Sequence, residues 1–206
     1  MTLRPDLRLV ADLIGADSRV LDLGCGDGAL LDELITNRSC SGWGVELSDD
    51  GFYGCLARGV PVVQGDVDRG LEDVEDDEVD VVVLSETIQA LRRPELALRE
   101  MRRVAQRGIV SLPNFGHWRL RLELLTRGRM PTSPELPNQW YSTPNIHLCT
   151  LSDFEDLVGE SGLTIVDRIP LDGSQRRASG LAGARPNLFA AGAVYSLERN
   201  SDILNP

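Results

Sequence analysis

The sequence predicts an α/β protein built on a doubly wound, mostly parallel sheet. Three observations predict it. Short valine- and leucine-rich runs alternate with segments of helical period. One run, Val79–Glu86 (VDVVVLSE), is apolar on both faces, as a strand covered by helices on both sides must be. The first run leads through a glycine turn directly into a helix-period segment, the strand–turn–helix order from which right-handed crossovers are built.

Each element has its own local reason. Met1–Ile14 reads as an amphipathic helix carrying both charge signs, without the apolar core or cleavage site of a signal peptide. Arg19–Leu23 (RVLDL) is a strand. Asp27–Asn37 is a helix with Leu30, Leu31, Leu34 and Ile35 on one face. Gly42–Leu47 is the second strand, and Ser48 is placed to cap a helix that starts near Asp49 and fades around Arg58. Val60–Asp66 holds a third strand and Val79–Glu86 the fourth. Pro94 sits in the first turn of a helix that continues through Leu96, Leu98, Met101 and Val104. Gly108–Pro113 is the fifth strand. From Asn114 to Thr150 the pattern breaks. Prolines, tryptophans and both histidines gather there, and the segment is expected to be a cap over the ligand edge, helical from Trp118 to Thr126 and otherwise loop. A helix then starts at or close to Ser152, a strand follows at Leu163–Leu171, Gly173–Asn187 is a loop, and Leu188–Glu198 is a seventh strand. No internal repeat or second domain is evident, so residues 1–206 are expected to form one domain with the cap inserted at about 114–150.

Composition bounds the function. The 206 residues suffice for one sizeable core. No apolar run approaches the roughly 20 residues of a membrane span, so a cytoplasmic location without membrane contact is the expectation. A net charge of −11 argues against nucleic acid as a partner. The charge is uneven: Glu72–Asp80 is acidic, residues 92–129 are arginine-rich, and the chain contains no lysine. Cys25, Cys40, Cys55 and Cys149 show no CxxC spacing. Buried thiols in a reducing compartment are therefore expected rather than a metal site or a disulfide framework.

In open parallel sheets ligands bind at the carboxyl edge of the strands, and Asp22-Leu-Gly24-Cys25-Gly26-Asp27-Gly28 lies there. Gly24, Gly26 and Ala29 even satisfy the dinucleotide form of a glycine turn, so charge must discriminate. A pyrophosphate beside Asp22 and Asp27 meets like charge. S-adenosylmethionine carries a sulfonium and an ammonium instead; a carboxylate at the strand end suits both, and its own carboxylate is left to free amides of the turn. Glu46, closing the second strand about 20 residues on, suits ribose hydroxyls in either ligand. Asp66 and the Val67 amide suit an adenine edge, and Ser85 and Glu86 end the fourth strand on the ligand's other flank. Each has a bland alternative: a cap for Asp22, a solvated strand end for Glu46, plain turn residues for Asp66 and Ser85.

At this point VLDLGCGDG, Glu46, the GD before Val67 and VVVLSETIQAL resemble class I S-adenosylmethionine-dependent methyltransferases. SETIQAL, GIVSLPNFGHWRLRLELLTRGRMP and YSTPNIHLCT resemble more narrowly the methionine biosynthesis protein MetW family. The resemblance runs from about Arg19 to Asp167. It implies a seven-stranded methyltransferase-like Rossmann sheet whose last strand is antiparallel. It implies S-adenosylmethionine or S-adenosylhomocysteine as ligand, held by Asp22, Gly24, Cys25, Gly26, Glu46, Leu47, Asp66, Val67, Ser85 and Glu86. It also implies a partner, the homoserine O-acyltransferase of methionine synthesis (acetyl or succinyl), whose activity such proteins support.

Whether the chain itself transfers a methyl group stays open. His117 and His147 are the candidate bases, and with Trp118, Trp140, Tyr141 and Asn145 they are placed to roof the donor. A histidine beside a tryptophan is equally a structural hydrogen-bonder, and Pro144-Asn-Ile-His147 equally fixes a loop. Three readings follow. One is a binding and accessory protein for the acyltransferase. The second is a true methyltransferase acting on a small carboxylic or amino acid, for which Arg119 is the candidate clamp unless it is simply solvated helix surface. The third is a dinucleotide oxidoreductase, which the charge argument disfavours.

Overall fold

The structure, a computed structural model, describes residues 3–133 and 136–200. Residues 1–2, 134–135 and 201–206, which fall in the expected N-terminal helix, the cap and the chain end, lie outside the described residues.

Seven strands form one sheet in the order β3-β2-β1-β4-β5-β7-β6. They are β1 (Arg19–Leu23), β2 (Ser41–Glu46), β3 (Val62–Gln64), β4 (Val79–Ser85), β5 (Ala105–Pro113), β6 (Leu163–Leu171) and β7 (Gly192–Arg199). The pairs β1–β2, β1–β4, β2–β3 and β4–β5 are parallel, whereas β7 runs antiparallel to both β5 and β6. The order reverses at β1, which has β2 on one side and β4 on the other; this is the topological switch point at which such sheets bind ligands.

The helices are α1 (Pro5–Leu13), α2 (Ala29–Arg38), α3 (Asp49–Arg58), α4 (Pro94–Val104), α5 (Trp118–Arg127), α6 (Leu151–Glu160), α7 (Leu181–Ala184) and α8 (Pro186–Phe189). Side chains of β1, β4 and β5 alternate between two cores. Leu21, Leu23, Val82, Leu84 and Val110 pack with α4 and α6 on one face. Val20, Val81, Val83 and Ile109 pack with α1, α2 and α3 on the other.

Capping chemistry sets several boundaries. Ser48 accepts from Gly51 N and starts α3. Thr150 and Asp153 form a reciprocal capping box that starts α6 one residue before Ser152. Helix α2 starts at Ala29 rather than Asp27, because Gly28 at its N-cap is held in the left-handed region, at φ +76°. Strand β3 is shorter than expected, β5 begins three residues earlier, and β7 begins at Gly192 because α8 occupies Pro186–Phe189. The expected 173–187 loop therefore contains α7 and the start of α8. Among its described residues, segment 114–150 holds α5 and no other helix or strand.

Candidate functional site

A crevice of about 590 Å³ opens at the switch point. Its floor is the end of β1 with the turn that follows; one flank is the end of β4, and the other is the start of α1 together with α2. The turn is fixed by its backbone. Gly24 N and Cys25 N both donate to Val45 O, at 2.7 and 3.3 Å, which ties the turn to β2. Gly24 sits at φ +75°, and a Cβ there would lie 2.5 Å from Thr87 Oγ1, so the close passage of the turn past the β4 loop requires glycine.

Two acids on neighbouring strands face opposite circumstances. Glu46 is buried but satisfied: Oε2 accepts from Gly26 N at 2.9 Å, and Oε1 accepts from Ser48 N at 2.8 Å and Ser48 Oγ at 2.7 Å. Asp22 is 2% exposed, and its Oδ1 has no hydrogen-bond partner. Burial, and behind it the charge of Glu46, pushes the Asp22 carboxyl up to about 7. Asp22 does not cap α2, whose N-cap is Gly28 with no side-chain capping bond. It lines the crevice as an unpaired buried acid.

The β4 flank is cross-braced to β5. Ser85 Oγ and Ser111 Oγ lie 3.0 Å apart, and Glu86 N donates to Ser111 O and Oγ. Glu86 adopts φ +53°, and its Oε1 accepts from Gln175 Nε2 at 2.8 Å. On the opposite flank Arg58 is drawn to Asp27 and Asp32. Cys25 and Cys55, with sulfurs 3.6 Å apart, are both free thiols, and burial raises the pKa of each.

The structure thus gathers Asp22, Gly24, Cys25, Gly26, Ser85 and Glu86 into one crevice. Glu46, Leu47, Asp66 and Val67 lie beside it along the same sheet edge. Glu46 reaches the turn through Gly26, Leu47 is exposed, and Asp66 caps a short 3-10 turn by accepting from Asp68 N at 3.0 Å. The turn supplies few free amides, since Gly26 N, Gly28 N and Ala29 N also donate within the protein.

The two histidines are separated from this crevice and from each other. His117 caps α5, with Nδ1 accepting from Arg119 N, and lines a second cavity of about 470 Å³ with Trp118, Arg119 and Glu123. His147 donates its backbone N–H to Gln89 O and lines a third, smaller cavity beside Ile88 and Cys149. Trp140 and Tyr141 stack edge to face and are 70% and 72% exposed. The expected aromatic roof is therefore not over Asp22. The reason is anchorage. Buried Asn114 donates to Ala190 O and Asn187 O, and Phe115 N donates to Cys149 O, which holds the segment toward α8 and α6. The wall on that side of the crevice is instead the start of α1 with the two residues before it, through Leu3, Arg4 and Leu7. Sequence reasoning placed a helix there but nothing local in it points to the crevice.

Comparison with known proteins fits this architecture. The chain is similar to a solved S-adenosylmethionine-dependent methyltransferase of Thermotoga maritima, described as a possible histamine N-methyltransferase, with 18% identity, a TM-score of 0.64 and coverage of 95% of this chain and 87% of that one. A methyltransferase of the same dependence from Archaeoglobus fulgidus gives 16% identity, a TM-score of 0.64 and coverage of 94% and 91%. These likenesses show the class I methyltransferase fold. The bifunctional methionine biosynthesis protein MetXA/MetW of Rhodopirellula baltica is 34% identical over 216 residues, which cover 98% of this chain and 34% of the relative. The chain thus spans about a third of the length of that relative. The family model described as methionine biosynthesis protein MetW matches residues 4–197, and the chain accordingly belongs to the MetW family.

Proposed function

We propose that the protein binds S-adenosylmethionine or S-adenosylhomocysteine in the β1–β4 crevice and acts as an accessory protein that supports a homoserine O-acyltransferase. The observation that carries the ligand half is Asp22: a buried carboxylate with an unpartnered oxygen, facing a crevice at the switch point, fits an ammonium and disfavours a phosphate. In this reading Asp22 takes the ammonium of the amino-acid end, and the turn of Gly24, Cys25 and Gly26 lies against that end by shape. Glu46 and Leu47 take the ribose side, Asp66 and Val67 the adenine edge, and Ser85 and Glu86 close the β4 flank. When bound, S-adenosylmethionine supplies an activated methyl group; S-adenosylhomocysteine does not.

The partner half is supported by the relative's name, which joins MetXA to MetW in one protein. It is supported also by surface composition. Among the described residues, Trp118, Leu122, Leu125, Met130, Trp140 and Tyr141 are exposed within 118–148, alongside Arg119, Arg127 and Arg129. Exposed aromatic, methionine and arginine side chains are the kinds of residue that partners bury. The reading takes the chain as one methyltransferase-like domain with a cap insertion at about 114–150. It sets the protein in the cytoplasm, in keeping with four free thiols.

The test is mass spectrometry of the purified protein for retained nucleoside, with calorimetry against S-adenosylhomocysteine and NAD. Co-purification with the acyltransferase, and the activity of that enzyme with and without this protein, complete it. Retained nucleoside, no NAD binding and a partner activated in the complex are expected. NAD binding, or a partner fully active alone that never co-elutes, overturns the reading.

A second reading, a true methyltransferase, is favoured by the cavity of His117, Arg119 and Glu123, which can take a small acid. The Glu86–Gln175 hydrogen bond stands between it and the crevice, because the narrow groove around that bond shares Glu86 with one and Asp172 with the other. Incubation with labelled donor across small carboxylic and amino acids tests it, and absence of transfer removes it.

A further inference from the structure

An adenosylmethionine-type ligand ends in an ammonium and a carboxylate. Asp22 answers the first. The second needs donors inside a crevice lined by five acids, Asp22, Asp27, Asp32, Glu33 and Glu86, against two arginines. The turn does not provide them. Of the six amides from Gly24 to Ala29, those of Gly24, Cys25, Gly26, Gly28 and Ala29 already donate to Val45 O, Glu46, Cys25 O and Asp27. A carboxylate placed there meets saturated amides and like charge.

The chain has no lysine, and the cationic side chains that line the crevice are two arginines, Arg58 and Arg4. Arg58 is held by Asp27 and Asp32 on α2 and its approach. Arg4 is differently placed. Its Nη2 donates to Asp6 Oδ2 at 3.0 Å, and Asp6 is fully buried, so the pair fixes the guanidinium at the crevice wall. Half of the Arg4 side chain stays exposed, and a guanidinium has five donors in a planar fork of which this contact uses one. The helix behind it is rigid: Pro5 opens α1, and Val10, Ala11 and Ile14 lock it into the core.

We infer that Arg4 is the site for the ligand's α-carboxylate, and that Arg4 and Asp22 together select a nucleoside bearing an intact amino acid. The inference rests on the ligand reading proposed above and deepens it. An acidic crevice alone prefers the most cationic nucleoside available, which is one without a carboxylate. Arg4 reverses that preference. Leu3 and Leu7 line the same wall beside it.

The experiment is calorimetric titration of wild type, Arg4→Met and Arg4→Lys with S-adenosylmethionine and with decarboxylated S-adenosylmethionine, which lacks only the carboxylate. Wild type is expected to prefer the intact ligand. Arg4→Met is expected to weaken that ligand by roughly ten- to a hundredfold and the decarboxylated one by less than about twofold, erasing the preference, with Arg4→Lys restoring part of it. Because Arg4→Met leaves Asp6 buried without a partner, the double variant R4M/D6N serves as the folded control and is expected to show the same loss. Equal weakening of both ligands, or no weakening of either, overturns the inference while leaving the ligand reading intact. A wild type that binds neither ligand overturns both.

Discussion

Asp22→Asn is the perturbation that most directly probes the crevice. In the folded chain the Asp22 carboxyl is raised from an ordinary 3.8 to about 7, chiefly by burial. A folded-state pKa above the unfolded one means that, between those values, the native state holds a proton the unfolded state has lost. Stability therefore falls as pH rises through the window and is fully reduced above about pH 7, by on the order of 4 kcal/mol. Asparagine keeps the shape and removes the titration. The variant's gain over wild type should be near zero at pH 4, climb by up to about 1.4 kcal/mol per pH unit, and level off by pH 8. For a chain of this length the plateau corresponds to a rise in Tm of on the order of 8–16 °C. The buried amide subtracts a pH-independent amount, so the slope is diagnostic rather than the absolute value. Urea unfolding of both proteins at half-unit steps from pH 4 to 8 reads it. Binding should move the opposite way: wild-type affinity for S-adenosylmethionine rises with pH toward 7 as Asp22 ionises, and the variant loses both affinity and pH dependence. A stability difference flat across pH, or a variant less stable only at pH 8, would refute the argument.

Three further outcomes follow from the same geometry. Glu46→Ala strips three donors, Gly26 N, Ser48 N and Ser48 Oγ, of their acceptor and should cost about 2–3 kcal/mol in denaturant unfolding, with Glu46→Gln costing less because one oxygen remains. Gly24→Ala forces a Cβ at φ +75° against Thr87; it should destabilise by about 2 kcal/mol or more and displace the turn, seen as loss of nucleoside retention by mass spectrometry. Arg103 bridges Leu71 O and Val74 O to Glu100 and Asp76, holding the acidic loop before β4 to α4. Arg103→Ala should lower unfolding stability by about 2 kcal/mol and increase hydrogen exchange at residues 71–78, leaving ligand affinity unchanged.

What the sequence disclosed is what local physics controls. The bounds of β1 and of β6, the Ser48 cap and the two-sided burial of β4 are written in period, capping and hydropathy, each within a few residues. Asp22, Gly24 and Glu86 could be assigned to one ligand edge because parallel topology fixes which strand ends share it. The rest depends on contacts between distant segments. That Glu46 spends its carboxylate on the turn requires knowing that Gly26 comes to within 2.9 Å of it. That α1, not residues 114–150, walls the crevice depends on Asn114 fastening to the carbonyls of 187 and 190. Arg4 lies 18 residues ahead of Asp22, a separation with no period that links the two.

The three buried acids of the described chain are the reason a cationic ligand is proposed for the crevice. Asp6 has Arg4, and Glu46 has three hydrogen-bond donors. Asp22 has neither. An uncompensated acid of this kind opposes folding, and the proposed ligand supplies the positive charge that it lacks. With an effective dielectric near 20, a unit charge about 5 Å from ionised Asp22 gains or loses about 3 kcal/mol according to sign. The swing between an ammonium and a phosphate at the same point is about twice that, more than the hydrogen bonds of a glycine turn recover once its amides are taken. The dinucleotide pattern of Gly24, Gly26 and Ala29 is therefore a matter of backbone shape, while the charge that decides the occupant sits two residues earlier.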